Sequence, residues 1–133
     1  MHTLAIPFPP LELLRISIAA VWLYEGLWCK LLGGAPSQRT VVGAVPRLGK
    51  WAAPFLIALG VAESALAAWV LIGFAPGWCA VAQTALLVAL NANGLLWARR
   101  LIHDPGGMVV KNAAFLLLAW ICGALGEQNA WPR

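Results

Sequence analysis

Four long apolar stretches, separated by short polar connections, dominate this 133-residue sequence. Each stretch is close to the roughly 20 residues that an α-helix needs to cross the hydrocarbon core of a membrane. The composition agrees, because 62% of the residues are hydrophobic and 11% are charged, whereas about a quarter are charged in soluble domains. The sequence therefore predicts an all-α membrane protein, one domain over residues 1–133 that folds as an antiparallel bundle of four transmembrane helices. The predicted spans are 11–32, 52–74, 78–98 and 108–125.

Positive charge is concentrated in the two connections that such a bundle places on one side of the membrane. The opposite side has Arg133 as its one clear positive charge. The positive-inside rule then predicts both basic connections in the cytoplasm, both termini outside, and a location in a bacterial inner membrane. The net charge of +4 predicts contact with anionic lipid or an acidic protein, and not with nucleic acid. The basic residues of the two connections are Arg39, Arg47, Lys50, Arg99 and Arg100.

Ionisable side chains inside the predicted spans indicate a functional site, because each costs about 3 kcal/mol to place at the bilayer centre. At a rise of ~1.5 Å per residue, Glu63 lies ~16 Å from the predicted cytoplasmic surface, near the middle of its span. We expect it to face the bundle interior and to share a polar pocket with Glu25, Lys30 and Lys111. The full set of candidates for ligand binding or proton relay is Trp22, Tyr24, Glu25, Lys30, Glu63, Asn91, Asn93, Lys111 and Asn112.

The same candidates also have purely structural interpretations. The two lysines can extend their ammonium groups to the lipid headgroups, and the three asparagines can form interhelical hydrogen bonds of about 1 kcal/mol each. Glu25 can form an ion pair that locks the first helix against the fourth. Beside Glu63, the spacing of Gly60, Ser64 and Ala68 is typical of a seam of small residues, which predicts close helix contact.

Three segments also carry a resemblance that extends over nearly the whole chain. They are VWLYEGLWCK over residues 21–30, the Gly-x-x-Glu of Gly60 and Glu63, and the Pro-x-x-x-x-x-Lys-Asn of Pro105, Lys111 and Asn112. With these segments the sequence resembles the DoxX-like family of small four-helix membrane proteins. The broader relatives are similar to the membrane subunit of a thiosulfate:quinone oxidoreductase and to membrane helpers of redox enzymes. Some relatives resemble a bundle joined behind a soluble nucleotide-binding domain, which implies the opposite orientation, and the resemblance assigns no catalytic residue.

The resemblance implies a redox-associated membrane subunit that binds a quinone-like amphiphile or anchors a catalytic partner. A quinone head group needs hydrogen-bond donors and a proton route, which the lysines, asparagines and glutamates of the candidate set supply. Trp22 and Tyr24 offer rings for stacking. Because His2 and His103 are too few for a metal site, no intrinsic cofactor is expected. Electrons would come from a partner protein, and the chain is expected to be an accessory subunit rather than a self-sufficient enzyme.

Two other functions fit the same residues. A small proton-coupled transporter would use Glu25 and Glu63 as its titrating carboxylates, and it would need a homo-oligomer to form a substrate path. An assembly or scaffold subunit would use the internal polar residues only to set the packing of its helices.

Overall fold

A computed structural model of the protein describes residues 10–128, and all regular secondary structure in this range is helical. Arg133, on which the charge argument partly depends, lies outside the described residues, as does His2. Helix α1 continues without a break into a π-helix, and two short 3₁₀ turns precede α3 and follow α4. The elements are α1 (Leu11–Leu23), the π-helix (Tyr24–Leu31), α2 (Ser37–Gly43), a 3₁₀ turn (Gly49–Trp51), α3 (Ala52–Ile72), α4 (Pro76–Trp97), a second 3₁₀ turn (Arg99–Leu101) and α5 (Pro105–Gln128).

Three helices of the structure are long and apolar enough to cross a membrane: Gly49–Ile72, Pro76–Trp97 and Pro105–Gln128. They correspond to the second, third and fourth predicted spans. The first predicted span, 11–32, is helical from Leu11 to Leu31, but it carries four charged residues and changes from α to π geometry. The structure therefore confirms an all-helical membrane protein with three candidate membrane-spanning helices.

The connections differ from the prediction in two places. The connection after the first span contains the additional helix α2, which begins directly after Pro36, so that residues 10–128 contain five α-helices instead of four. The hairpin between α3 and α4 has the expected three residues but lies two residues earlier, over 73–75 instead of 75–77. Helix α3 ends at Ile72 because Gly73 adopts the left-handed conformation (φ 77°) that terminates many helices. Helix α4 begins at Pro76, since proline is well suited to the first position of a helix.

The helices pack in an order that divides the bundle into two tight pairs. The first pair is α1 and its π-helical continuation against α3, and the second is α4 against α5. Contacts between α1 and α5 and between α3 and α4 join the pairs. The shared core is small and apolar, and its buried members are Ile18, Ala19, Trp22, Leu66, Ala67, Val70, Cys79 and Cys122.

Outside this core, large apolar side chains cover the surface of the bundle. Ile72, Phe74 and Trp78 are each more than 70% exposed, and exposed apolar residues occur on all the long helices. Such a continuous apolar surface would be a liability in water. In a bilayer it is the expected lipid-facing surface, which agrees with the length of the helices.

Arg15 lies at the end of the bundle that carries the α3–α4 hairpin. Its guanidinium packs so closely against Gly73 that a Cβ at that position would be 2.8 Å from the Arg15 Cζ. A Cβ at Gly126 would lie 3.5 Å from the Arg15 Nη2. Arg15 therefore sits between the C-terminal ends of α3 and α5, where helix dipoles favour a positive charge. This placement gives the residue a structural role in joining the two helix pairs.

Candidate functional site

The π-helix determines where the first polar side chains of the site lie. Its backbone hydrogen bonds reach back five residues, as from the Leu32 N–H to the Leu27 carbonyl (2.8 Å). At the same spacing, the Lys30 Nζ donates to the backbone carbonyl of Glu25 (3.3 Å). Short π-helical segments occur frequently at functional sites, because they shift side chains out of regular α-helical register.

Two glycines allow the π-helix to approach α3 closely. A Cβ at Gly26 would lie 2.8 Å from the backbone oxygen of Gly60, and a Cβ at Gly60 would lie 2.9 Å from that of Gly26. Ser64 donates its hydroxyl to the Gly60 carbonyl (2.8 Å), whereas Ala68 is exposed. The predicted seam of small residues is therefore correct for Gly60 but does not extend to Ala68. The closest contact is made by a pair of glycines, one from each helix.

Beside this crossing, Lys30 and Glu63 form a buried ion pair. The Lys30 Nζ is 2.7 Å from the Glu63 Oε1 and donates a hydrogen bond to Oε2 at 3.0 Å. The side chains are 7% and 1% exposed, respectively. Among the described residues, the Lys30 ammonium is the one polar partner of Oε1. Removing both charges from water is expensive, and the glycine crossing keeps lipid away from them.

Glu25 and Cys29 complete this group of polar side chains. The Cys29 thiol donates to the Glu25 Oε2 (Sγ–Oε2 3.7 Å), and the Glu25 carboxylate is near enough to Glu63 for their charges to interact. Glu25 is only partly buried, so it lies between the buried ion pair and the exterior. We refer to Glu25, Cys29, Lys30 and Glu63 as the ion-pair site. Cys29 was not among the candidate residues, although its position four residues after Glu25 places both on one helix face.

The two aromatic candidates have different surroundings. Trp22 is 2% exposed, its indole N–H donates to the Gln83 Oε1 (2.8 Å), and its ring meets Phe115 edge-to-face at 5.7 Å. The Trp22 ring, a candidate for stacking on a ligand, therefore packs in the protein core. Tyr24 is 59% exposed on the outer surface. Gln83, which is 3% exposed, is a buried polar partner that the candidate set omitted, and its position in a long apolar run was the available signal.

The remaining candidates form a separate group on α4 and α5. The Asn112 Nδ2 donates to the Asn91 Oδ1 (2.9 Å) across the two helices. The side chain of Asn93 is exposed and donates to the backbone of its own helix at Ala89 (2.8 Å). Lys111 is exposed as well. The expected pocket that joins Lys111 to the ion-pair site is therefore absent, because the π-helix packs on α3 while α5 packs on α4.

The ion-pair site contains one thiol, two carboxylates and one ammonium group. Among residues 10–128, no group of three or more His, Cys, Asp or Glu side chains is placed to bind a metal ion. The chemistry that the site supports is hydrogen bonding and proton exchange with a group that reaches the buried carboxylate. The ammonium can donate to such a group, and the partly buried Glu25 can exchange protons with the exterior.

Comparison with known proteins places this site in a family context. Neither the curated proteins nor the solved structures include a significant match to the chain. A sequence model described as the DoxX-like family matches residues 19–120, a range that includes every residue of the ion-pair site. The match extends over most of the chain and agrees with the long apolar helices. The protein is therefore a membrane protein that belongs to the DoxX-like family.

Proposed function

We propose that the protein is a redox-associated membrane subunit that binds the head group of a quinone-like amphiphile at the ion-pair site. The observation that supports this best is the buried ion pair of Lys30 and Glu63, whose side chains are 7% and 1% exposed. An arrangement of this kind is costly inside a membrane, and ionisable groups kept there are functional more often than not.

The chemistry of a quinone head group matches these side chains. Its carbonyl oxygens accept hydrogen bonds, and its reduction to a quinol takes up two protons together with two electrons. In this proposal Lys30 donates a hydrogen bond to a carbonyl oxygen, Glu63 delivers the two protons one after the other to the quinone oxygens, and Glu25 restores each of them from the exterior. The electrons come from a partner protein.

The surroundings of the ion-pair site suit an amphiphile that arrives from the lipid. Tyr24 and Trp28 belong to the same π-helix and are 59% and 50% exposed. Aromatic rings with one polar end are favoured near the membrane surface, and they offer flat apolar faces to a ring-containing head group. The head group would reach the ion pair from this side, while its tail stays among the lipid chains.

This function requires a particular topology in the bilayer. We infer that Leu11–Leu31 forms a fourth crossing, with both basic connections in the cytoplasm of a bacterial inner membrane and both termini outside. Single-cysteine variants at Ser37 and His103, which are both exposed, test this topology by labelling with a membrane-impermeant thiol reagent. Both should be labelled only from the cytoplasmic face. Labelling from opposite faces would contradict the four-span bundle, and labelling of both from outside would reverse the orientation.

The binding proposal is tested by titrating a short-chain quinone into the purified protein in lipid nanodiscs and following tryptophan fluorescence. Glu63→Gln preserves the shape of the side chain and removes its charge, so we expect it to weaken binding about tenfold or more, as for the loss of a charged hydrogen bond. Lys111→Gln is the matched control, since Lys111 lies outside the ion-pair site, and its affinity should be unchanged. A folded Glu63→Gln protein with wild-type quinone affinity would contradict the proposal.

A further inference from the structure

A second polar feature lies at the opposite end of α4 from the hairpin. Where α4 ends at Trp97, the chain turns through the 3₁₀ segment Arg99–Leu101 and borders an open surface hollow of about 410 Å³, which is lined by residues 96–101. Arg99 and Arg100 line it and are exposed. The rest of its lining is apolar: Leu96 is 71% exposed and Trp97 is 48% exposed, and Ala98 and Leu101 complete it. We call this hollow the arginine cup.

The end of the bundle that carries the arginine cup has an excess of positive charge. Helix α2 contacts α4, which places the first basic connection beside the second. All five basic residues of the two connections are exposed. Asp104 is the one acidic residue in these connections, and it accepts a hydrogen bond from the Gly107 N–H (3.0 Å) at the start of α5. Between described residues, the one salt bridge is the distant pair Lys30–Glu63.

We propose that the arginine cup binds the headgroup of an anionic phospholipid. Two guanidinium groups on one short turn offer paired donors to a phosphate diester. Leu96, Trp97 and Leu101 lie at the end of a membrane-spanning helix, where they contact the glycerol and the first acyl carbons. This mixture of cationic and apolar lining distinguishes a lipid from free phosphate, which has no apolar part. The site is separate from the proposed quinone site and does not depend on it.

Native mass spectrometry of the full chain in detergent tests this site with phosphatidylglycerol and phosphatidylcholine as probes. We expect preferential retention of phosphatidylglycerol. Loss of a hydrogen bond to a charged group weakens affinity about tenfold or more, so Arg99→Gln/Arg100→Gln, which removes two, should weaken retention of phosphatidylglycerol roughly 100-fold. Arg39→Gln/Arg47→Gln removes the same charge from the neighbouring connection and is the matched control. It should reduce retention by less than about threefold, because salt screens charges that do not touch the lipid.

A third variant separates shape from charge. Arg99→Lys/Arg100→Lys keeps both charges but lacks the planar fork of guanidinium, so its affinity should lie between those of wild type and the double glutamine variant. Equal losses in the two glutamine variants would overturn the proposal, because they would show a diffuse charge effect without a specific cup. Equal retention of both lipids by the wild type would also overturn it. Displacement of phosphatidylglycerol by an equal concentration of inorganic phosphate would identify a free anion, and not a lipid, as the ligand.

Discussion

The two helix pairs of the bundle achieve close contact in different ways. In the first pair, Gly26 of the π-helix and Gly60 of α3 meet so closely that neither position has room for a Cβ. In the second pair, a Cβ at Gly123 of α5 would lie 3.2 Å from the Ala80 Cβ of α4, a contact that small shifts can relieve. The closest approach of this pair is at its hairpin end, where a Cβ at Gly126 would lie 2.9 Å from the Pro76 side chain and not from backbone. In the most apolar stretch of α3, 33% of the residues are buried, whereas 17% are buried in that of α5. The first pair thus forms the better shielded half of the bundle.

The polar contacts follow the same division. The first pair contains a full ion pair that is almost completely buried. The second is joined by hydrogen bonds: the Asn112 amide donates to Asn91 (2.9 Å), the Trp120 indole to Thr84 (2.8 Å), and the Gly77 N–H to the Glu127 carboxylate (3.0 Å). A buried charge is stable only when its partner is in contact and lipid is excluded. A neutral amide costs much less free energy to bury than a charged group does. The comparison indicates that the tight glycine crossing and the ion pair depend on each other, and three predictions test that dependence.

The largest effect is expected when the ion pair loses one partner. Lys30→Met leaves the Glu63 carboxylate buried without a cation, which should lower the free energy of unfolding by about 3–5 kcal/mol. Adding Glu63→Met removes the remaining charge and should recover most of that loss. Both values are measured by reversible unfolding in SDS. A double variant as unstable as Lys30→Met would show that the residues stabilise the fold independently.

A smaller effect is expected at the helix crossings. Gly26→Ala places a Cβ 2.7 Å from the Glu63 Cβ and 2.8 Å from the Gly60 oxygen, so the helices must separate, at a cost of about 1–3 kcal/mol. At Gly123 the milder contact is offset by the higher helix propensity of alanine, about 0.5–1 kcal/mol. The unfolding free energy of Gly123→Ala should therefore stay close to that of wild type. Equal losses in the two variants would remove the distinction between the pairs.

The smallest effect is expected in the second pair. Asn112→Leu removes the hydrogen bond to Asn91 and should lower the unfolding free energy by about 1 kcal/mol or less. Asn93→Leu is the control, because the Asn93 amide is exposed and bonds only to its own helix, and its unfolding free energy should be unchanged. A loss above about 2 kcal/mol for Asn112→Leu would mean that the second pair also depends on a polar contact.

The structure brings together only part of the predicted polar pocket, because Glu25, Lys30 and Glu63 lie together whereas Lys111 lies apart from them. The rise per residue predicts similar distances from the cytoplasmic surface for Lys30 and Lys111. The sequence alone therefore offered no reason to choose between them as the partner of Glu63. The structure pairs Glu63 with Lys30 and leaves Lys111 exposed. It also adds Cys29, whose thiol bonds to Glu25. A π-helix over Tyr24–Leu31 has no simple sequence pattern, and it alters which side chains share a face.

The sequence by itself determined the membrane class and the approximate limits of the second, third and fourth long helices. These properties depend on apolar run length, on helix-ending residues such as Gly73 and Pro76, and on a constant rise per residue. Only the tertiary structure decided which helix faces meet. Rotation of one helix about its axis depends on close contacts with residues distant in the chain, such as Gly26 with Gly60. The partner of a buried carboxylate therefore follows from packing and not from depth.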